Sequence, residues 1–82
     1  MLVERMREPI RVVVDFDGVK VRPLAFLRAG KRYDVERVNL VYRKRVGSRY
    51  VWCFAVSDGG NTYGLEYDPE RLIWVLSEIQ IE

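Results

Sequence analysis

The chain has 82 residues, 49% of them hydrophobic and 32% charged, and its formal net charge is +2. These values are typical of one small globular domain and exclude a disordered chain. Histidine is absent and cysteine occurs once, which excludes an intramolecular disulfide and a structural zinc site and removes the commonest general base of enzymes. We therefore expect no metal, no cofactor and no small-molecule substrate.

The single cysteine, Cys53, lies in the apolar run YVWCFAV at residues 50–56. A thiol in this setting is typical of a small buried hydrophobic residue rather than of a reactive nucleophile. The same run is the longest uncharged apolar stretch, and it is far shorter than the roughly 20 residues that a membrane-spanning helix needs. The sequence therefore predicts a cytoplasmic protein in a reducing compartment, with no membrane partner.

The first residues of the chain differ from the rest in their pattern. Residues 1–9, MLVERMREP, are charged and show no clear period, so we predict a loose lead-in there. From Ile10 onward, β-branched and aromatic residues mostly recur with the period of two that is typical of β-strands. We therefore expect a single small domain over residues 10–82.

Short strands and tight turns follow one another along this domain. A strand over residues 10–16 and a second over residues 19–27 flank Asp17-Gly18, which predicts a type I′ hairpin turn. Pro23 interrupts the second strand and indicates an edge or a bend. Further turns are predicted at Ala29-Gly30, Gly47-Ser48 and Asp58-Gly59-Gly60-Asn61.

Residues 31–46 form the longest periodic segment. Their apolar residues fall into two sets whose period breaks between Val35 and Val38, and we predict a β-bulge near Glu36-Arg37 that bends the strand. Small barrels need such bends to close. The two sets are Tyr33 and Val35, then Val38, Leu40 and Tyr42.

The second half of the chain continues this pattern until its last segment. Residues 49–57 are apolar on both faces, which favours a central strand. Residues 70–82 are ambiguous, because Asp68-Pro69 resembles a helix start whereas the spacing of Leu, Trp and Ile also fits a strand. We favour a strand, with Asp68 to Arg71 as a hairpin turn. The fold predicted is all-β: a small, partly open SH3-like barrel of about six antiparallel strands in a meander.

Residues 12–21 read VVVDFDGVKV, and an apolar run ending in Asp-x-Asp-Gly opens the haloacid-dehalogenase-type phosphotransferases. In that chemistry Asp15 would be the nucleophile and Asp17 the acid/base, with Mg²⁺ as cofactor. The reaction also needs later motifs and a doubly wound α/β fold, which a short chain with hairpin periodicity does not provide. We therefore interpret the motif as a hairpin, and phosphotransfer remains a remote alternative.

Residues 22–38, RPLAFLRAGKRYDVERV, resemble the signature of a family of short bacterial domains of unknown function, RPxxFxWxGRxYxV. The later YGLEYD and the W-V-L strand are similar to that family's closing hairpin, so the resemblance covers roughly residues 9–81. Arg28 stands where the family has its first Trp. Some members are encoded beside, or fused to, Y-family translesion polymerases. The resemblance implies a bacterial DNA-repair context and assigns no catalytic residue.

Positive charge is concentrated in one part of the chain. Residues 20–49 contain ten Lys or Arg and two Asp or Glu, whereas residues 51–82 contain one and six. The asymmetry fits either a basic face for an acidic partner or basic strands that pair with acidic ones across the sheet. If a basic face forms, we expect it to comprise Arg28, Arg32, Arg43, Lys44, Arg45 and Arg49, with Tyr42 as an exposed aromatic residue and Tyr63 as another candidate.

Two functions compete on this basis, and neither is enzymatic. A protein-interaction module, or a homodimer, would use a sheet edge, near Pro23 or at Ile79 to Ile81. A nucleic-acid-binding module would use the basic segment 28–49 for DNA. We expect an accessory binding module, with a protein partner as the first candidate.

Overall fold

The computed structural model describes all 82 residues, and it contains seven strands and no helix. All neighbouring strands are antiparallel, which confirms the predicted all-β class. The strands are β1 (Leu2–Asp17), β2 (Lys20–Arg28), β3 (Lys31–Asp34), β4 (Arg37–Val46), β5 (Arg49–Ser57), β6 (Thr62–Asp68) and β7 (Ile73–Ile81).

The seven strands form one sheet in the order β3-β2-β1-β7-β6-β5-β4. Every strand pairs with its successor along the chain except β3 with β4, and β1 also pairs with β7. The arrangement is an up-and-down barrel that lacks one of its pairings, so the predicted meander and partial opening are confirmed. There are seven strands rather than about six, because Val35-Glu36 separates β3 from β4 instead of forming a bulge within one strand.

The predicted loose lead-in is wrong, because residues 2–9 belong to the 16-residue strand β1. The first half of β1 pairs with β7 and the second half with β2. A register shift between Arg5 and Glu8 breaks the period of two, which explains why the sequence hides the strand. Three of the four charged residues in this first half, Arg5, Arg7 and Glu8, form ion pairs with other strands, as in the 3.3 Å pair between Arg5 and Glu78. Residues 2–9 are therefore part of the sheet.

The types of the hairpin turns are defined by which of their residues have positive φ. Ala29 and Gly30 have φ values of 50° and 78°, the pattern of a type I′ turn. The first turn lies one residue later than predicted: Asp17 pairs with Lys20, and Gly18 alone has positive φ, as in a type II′ turn. The ambiguous C-terminal segment is the strand β7, as favoured, preceded by a turn over residues 69–72.

The core fills the inside of the barrel with aromatic and aliphatic side chains. Phe26 stacks on Tyr33 with ring centroids 4.9 Å apart, and the edge of Tyr63 closes the group at 5.1 Å from Phe26. Cys53, on the outer face of the sheet opposite Tyr42, is also buried, as expected, and burial raises the pKa of its thiol. The central cluster comprises Phe26, Phe54, Val56, Tyr63, Leu65, Leu76 and Ile79.

The step between β3 and β4 fixes where the barrel is open. The N–H of Val35 donates to the carbonyl of Leu24 in β2, and the N–H of Glu36 donates to the carbonyl of Ser57 in β5, both at 2.8 Å. The chain therefore bridges the two ends of the sheet at this point only. Beyond it, β2 and β4 run toward the tips of two separate hairpins with no strand between them.

Asp58 ties the β5–β6 turn to the core. Its Oδ1 accepts the N–H groups of Gly60 (3.0 Å) and Asn61 (2.8 Å), and its Oδ2 accepts the hydroxyl of Tyr63 (2.9 Å). Burial alone would raise the pKa of Asp58, but these hydrogen bonds together outweigh burial and lower the pKa below its usual range.

This lowered pKa predicts a pH-dependent contribution to stability. The Asp58 carboxylate stabilises the fold above about pH 4, and the contribution is lost as the pH falls through the folded-state pKa. We expect the free energy of unfolding, measured by urea denaturation between pH 7 and pH 2, to fall less steeply in Asp58→Ala than in the parent chain. Asp17→Ala, which removes a carboxylate without a hydrogen bond or ion pair, is the control. Equal slopes for the parent chain and Asp58→Ala would contradict the assignment.

Candidate functional site

An apolar cleft marks the opening of the barrel. It lies between the tip of the β1–β2 hairpin and the β4–β5 pair, and its volume is about 370 Å³. Of its eight lining residues only Lys20 and Arg22 are charged. Such apolar hollows beside an incomplete sheet are typical of binding surfaces. The apolar lining residues are Val19, Val21, Val38, Val41, Trp52 and Phe54.

The backbone of β4 borders this cleft with an unpaired edge. β4 is the last strand of the sheet, so only its β5 side has a partner. Val46 and Arg49 flank the two-residue turn and form the closing hydrogen-bonded pair of the hairpin. Because hydrogen bonding alternates along an antiparallel strand, the N–H and C=O groups of Val41, Arg43 and Arg45 point away from β5. These groups are available to a further strand.

The predicted basic face does not form as one cluster. Arg28 and Arg32 flank the β2–β3 turn, at the end of β2 that is remote from the cleft, and each is held by a carboxylate at 2.8 Å, from Glu8 and Asp34 respectively. The other four cations lie in the β4–β5 hairpin but on two different faces. Lys44 and Arg49 project from the outer face with Tyr42, whereas Arg43 and Arg45 share the inner face with Tyr50 and Trp52.

The outer-face cations of this hairpin neutralise carboxylates of β6. Lys44 donates to Glu66 at 2.9 Å, and this hydrogen bond raises the pKa of Lys44. Arg7 reaches the other oxygen of Glu66 at 3.3 Å, and Arg49 donates to Asp68 at 2.9 Å. Two of these three pairs, those of Lys44 and Arg49, join residues 20–49 to residues 51–82. On this face the basic and acidic parts of the chain therefore neutralise each other.

The two inner-face arginines have no carboxylate partner. The guanidinium of Arg43 lies over the ring of Tyr50 at 4.5 Å and that of Trp52 at 5.9 Å from the centroids. Arg45 donates from Nε only to the carbonyl of Gly47, at 3.0 Å. Both cations follow directly after the apolar cleft along β4. Their charge is therefore free to meet an anion at the open side.

The exposed aromatic residues differ partly from the expected ones. Tyr42 is 49% exposed, as predicted, but it lies on the outer face opposite Cys53, away from the cleft. Tyr63 is buried in the core, so its predicted exposure is wrong. Tyr50 and Trp52 are exposed instead, which the sequence does not predict, because β5 is apolar on both faces and has a strand on each side. β5 is next to the edge strand, which leaves its end uncovered.

Of the two sheet edges predicted as interaction sites, one is an edge in the structure and the other is not. Near Pro23 the start of β2 is unpaired on one side, because β3 covers only Ala25 to Arg28. Pro23 itself is buried and offers no N–H, which blunts this edge. The expected edge at Ile79 to Ile81 is wrong, since β7 lies between β1 and β6. The long unpaired edge of the molecule is β4.

The remaining sequence motif is structural. Asp15 lies opposite Arg22 in the β1–β2 hairpin and forms a 3.3 Å ion pair with it. The doubly wound α/β fold that Asp-x-Asp-Gly chemistry requires is absent, because every strand pair is antiparallel and there is no helix. No three Cys, Asp or Glu side chains converge in a way that could hold a metal ion. The structure contains no helix that could cross a membrane.

Substitutions of neighbouring residues on the two faces of β4 should change the free energy of unfolding by different amounts. Lys44→Ala leaves the buried carboxylate of Glu66 with Arg7 alone, so we expect it to lower the free energy of unfolding by about 1 kcal/mol. Arg45→Ala removes a cation without a carboxylate partner, and we expect a change within about 0.5 kcal/mol. Urea denaturation at low salt measures both. An equal loss in the two variants would contradict the division of charges between the faces.

Comparison with known proteins identifies no relative from which a function could be inferred. No protein-family model, no curated protein and no solved structure matches the chain. The resemblance of residues 22–38 to bacterial domains near translesion polymerases therefore stays a prediction. The features available for a functional argument are the unpaired edge of β4, the apolar cleft beside it and the two inner-face arginines.

Proposed function

We propose that this chain is a non-enzymatic binding module that captures an extended segment of a protein partner at the open side of its barrel. The partner segment adds as a strand to β4, and some of its side chains enter the cleft. Main-chain hydrogen bonds supply affinity and the cleft supplies selectivity, as in other complexes formed by strand addition. The single observation that carries the proposal is a ten-residue unpaired edge strand bordering an apolar cleft.

Three features support a partner rather than a purely structural explanation of this edge. First, β4 is among the longest strands of the sheet, and its irregularity at Val38–Leu40 and its cations do not cover the unpaired groups of Val41, Arg43 and Arg45. Second, Val41 and Trp52, which line the cleft, are 47% and 39% exposed, so apolar surface is in contact with water. Third, no strand lies between β2 and β4 on the open side of the barrel, and a captured segment would occupy that place.

The cellular setting of the module is part of the proposal. The resemblance of residues 22–38 to domains encoded beside Y-family polymerases supports a bacterial DNA-repair setting. The lone buried thiol of Cys53 is compatible with the reducing conditions of the cytoplasm. An accessory role in translesion synthesis is therefore the setting that we propose for the partner.

Selection from a displayed library of random twelve-residue peptides tests the binding site without assuming a partner. We expect enriched peptides to bind the parent chain and to lose binding in Val41→Arg, because a long charged side chain at the centre of the cleft excludes an apolar one. Val13→Arg introduces the same change at another exposed valine, on β1, and serves as the control. Failure to enrich any peptide that distinguishes these two variants would contradict the proposal.

A second candidate function is single-stranded nucleic acid binding, and one observation favours it. Arg43 lies over Tyr50 and Trp52, so a cation and two exposed rings occupy one surface, and such surfaces can stack bases beside phosphates. This function predicts that a labelled single-stranded oligonucleotide binds at low salt and dissociates steeply as salt rises. Trp52→Ala should abolish that binding, and Tyr42→Ala, on the outer face, should leave it unchanged. Fluorescence anisotropy without binding at low salt would rule this function out.

A further inference from the structure

We infer that the segment captured by β4 is acidic and apolar, runs antiparallel to β4, and carries the order acidic–x–acidic–x–apolar from its N-terminus. This inference rests on the proposed function and names the chemistry of the partner. The residue types follow from three properties of the open side: the direction of the free backbone groups, the lining of the cleft and the unpaired charges of the inner face. The antiparallel direction is that of every strand pair in the sheet and the more stable one per residue.

The free backbone groups set the register of the captured strand. Val41, Arg43 and Arg45 direct their N–H and C=O groups away from β5, and their side chains share the inner face. In an antiparallel pair, directly opposite residues have their side chains on the same face. Three alternate residues of the captured segment therefore stand beside Val41, Arg43 and Arg45, on the side of the cleft. The residues between them face the outer surface, where the inference specifies no residue type.

The lining of the open side sets the type of each of these three residues. Beside Val41, the captured residue meets the apolar cleft formed with Val38 and Trp52, so an aliphatic or aromatic side chain fits there. Beside Arg43 and Arg45, it meets guanidinium groups that have no carboxylate within the chain, so Asp or Glu fits there. Lys20 on the opposite wall of the cleft is also without a carboxylate partner and adds positive charge.

The charge of β4 argues against a second copy of this chain as the occupant. The strand reads RVNLVYRKRV, with four cations and no carboxylate. Antiparallel pairing of two β4 strands would bring these cations near one another, and like charges across a pair of strands are destabilising. Positive charge on an edge is also a known device against self-association. An anionic segment removes this repulsion, whereas a second β4 doubles it.

Three labelled peptides test the inference by fluorescence anisotropy. All have threonine at the x positions and leucine at the apolar position, and they differ only in carrying glutamate, serine or lysine at the two acidic positions. Two exposed ion pairs predict that the glutamate peptide binds roughly 2- to 30-fold more tightly than the serine peptide, and that the difference shrinks at high salt. The lysine peptide should bind most weakly. A labelled oligothymidine is measured in parallel.

Matched charge reversals locate the interaction on the inner face. The double variant Arg43→Glu/Arg45→Glu should reverse the order of the three peptides, whereas Arg11→Glu, at an exposed cation of β1 without a partner, should preserve it. Arg43 contacts two aromatic rings, so circular dichroism checks the fold of the double variant. Arg45→Glu alone, which alters a side chain bonded only to the turn, tests the inference even if the double variant unfolds.

The possible results separate this inference from the proposed function. Equal binding of the glutamate and serine peptides, abolished by Val41→Arg, would overturn the acidic preference and leave the open side as a protein-binding site. The same conclusion follows if no designed peptide binds while library peptides do and are lost in Val41→Arg. Tighter binding of oligothymidine than of the glutamate peptide, lost in Arg43→Glu/Arg45→Glu, would overturn both in favour of nucleic acid.

Discussion

The missing pairing between β3 and β4 is the constraint on which the rest of the structure depends. Val35 and Glu36 direct their N–H groups to β2 and β5 instead of closing a hairpin between β3 and β4. The chain is thereby carried from one end of the sheet to the other within two residues. β4 is left as an edge, β3 is too short to cover the start of β2, and the interval between them becomes the cleft.

The same constraint gives the charges of the β4–β5 hairpin two different roles. On the outer face the neighbouring strand β6 supplies Glu66 and Asp68, so Lys44 and Arg49 are neutralised within the sheet. On the inner face the strands supply aromatic rings instead, and Arg43 rests on Tyr50 and Trp52 without a counter-charge. A basic segment of sequence therefore becomes a structural network on one side and a free positive surface on the other.

Local pattern was sufficient for the class of fold and for most turns, because period-two alternation and glycine turns are properties of adjacent residues. The first half of β1 could not be recognised as a strand from its charged sequence, because the carboxylates that pair with Arg5 and Arg7 are 73 and 59 residues away along the chain. The division of the basic residues also depended on register: a shift between Val38 and Leu40 decides that Val41, Arg43 and Arg45 face inward. A one-residue shift exchanges the two faces of a strand, and no composition rule detects it.

The pairing of β1 with β7 has a consequence for how the molecule acquires its shape. Leu2 is paired with Ile81, so the first strand has its partner at the far end of the chain. The first half of β1 has no strand partner other than β7, because β2 pairs only with residues 11–17. Contacts of such wide sequence separation slow folding, because the entropy of closing the loop is lost before the contact forms. The pairing of β1 with β7 is therefore the strand contact whose formation costs the most chain entropy, and we expect it to limit the rate at which the barrel forms.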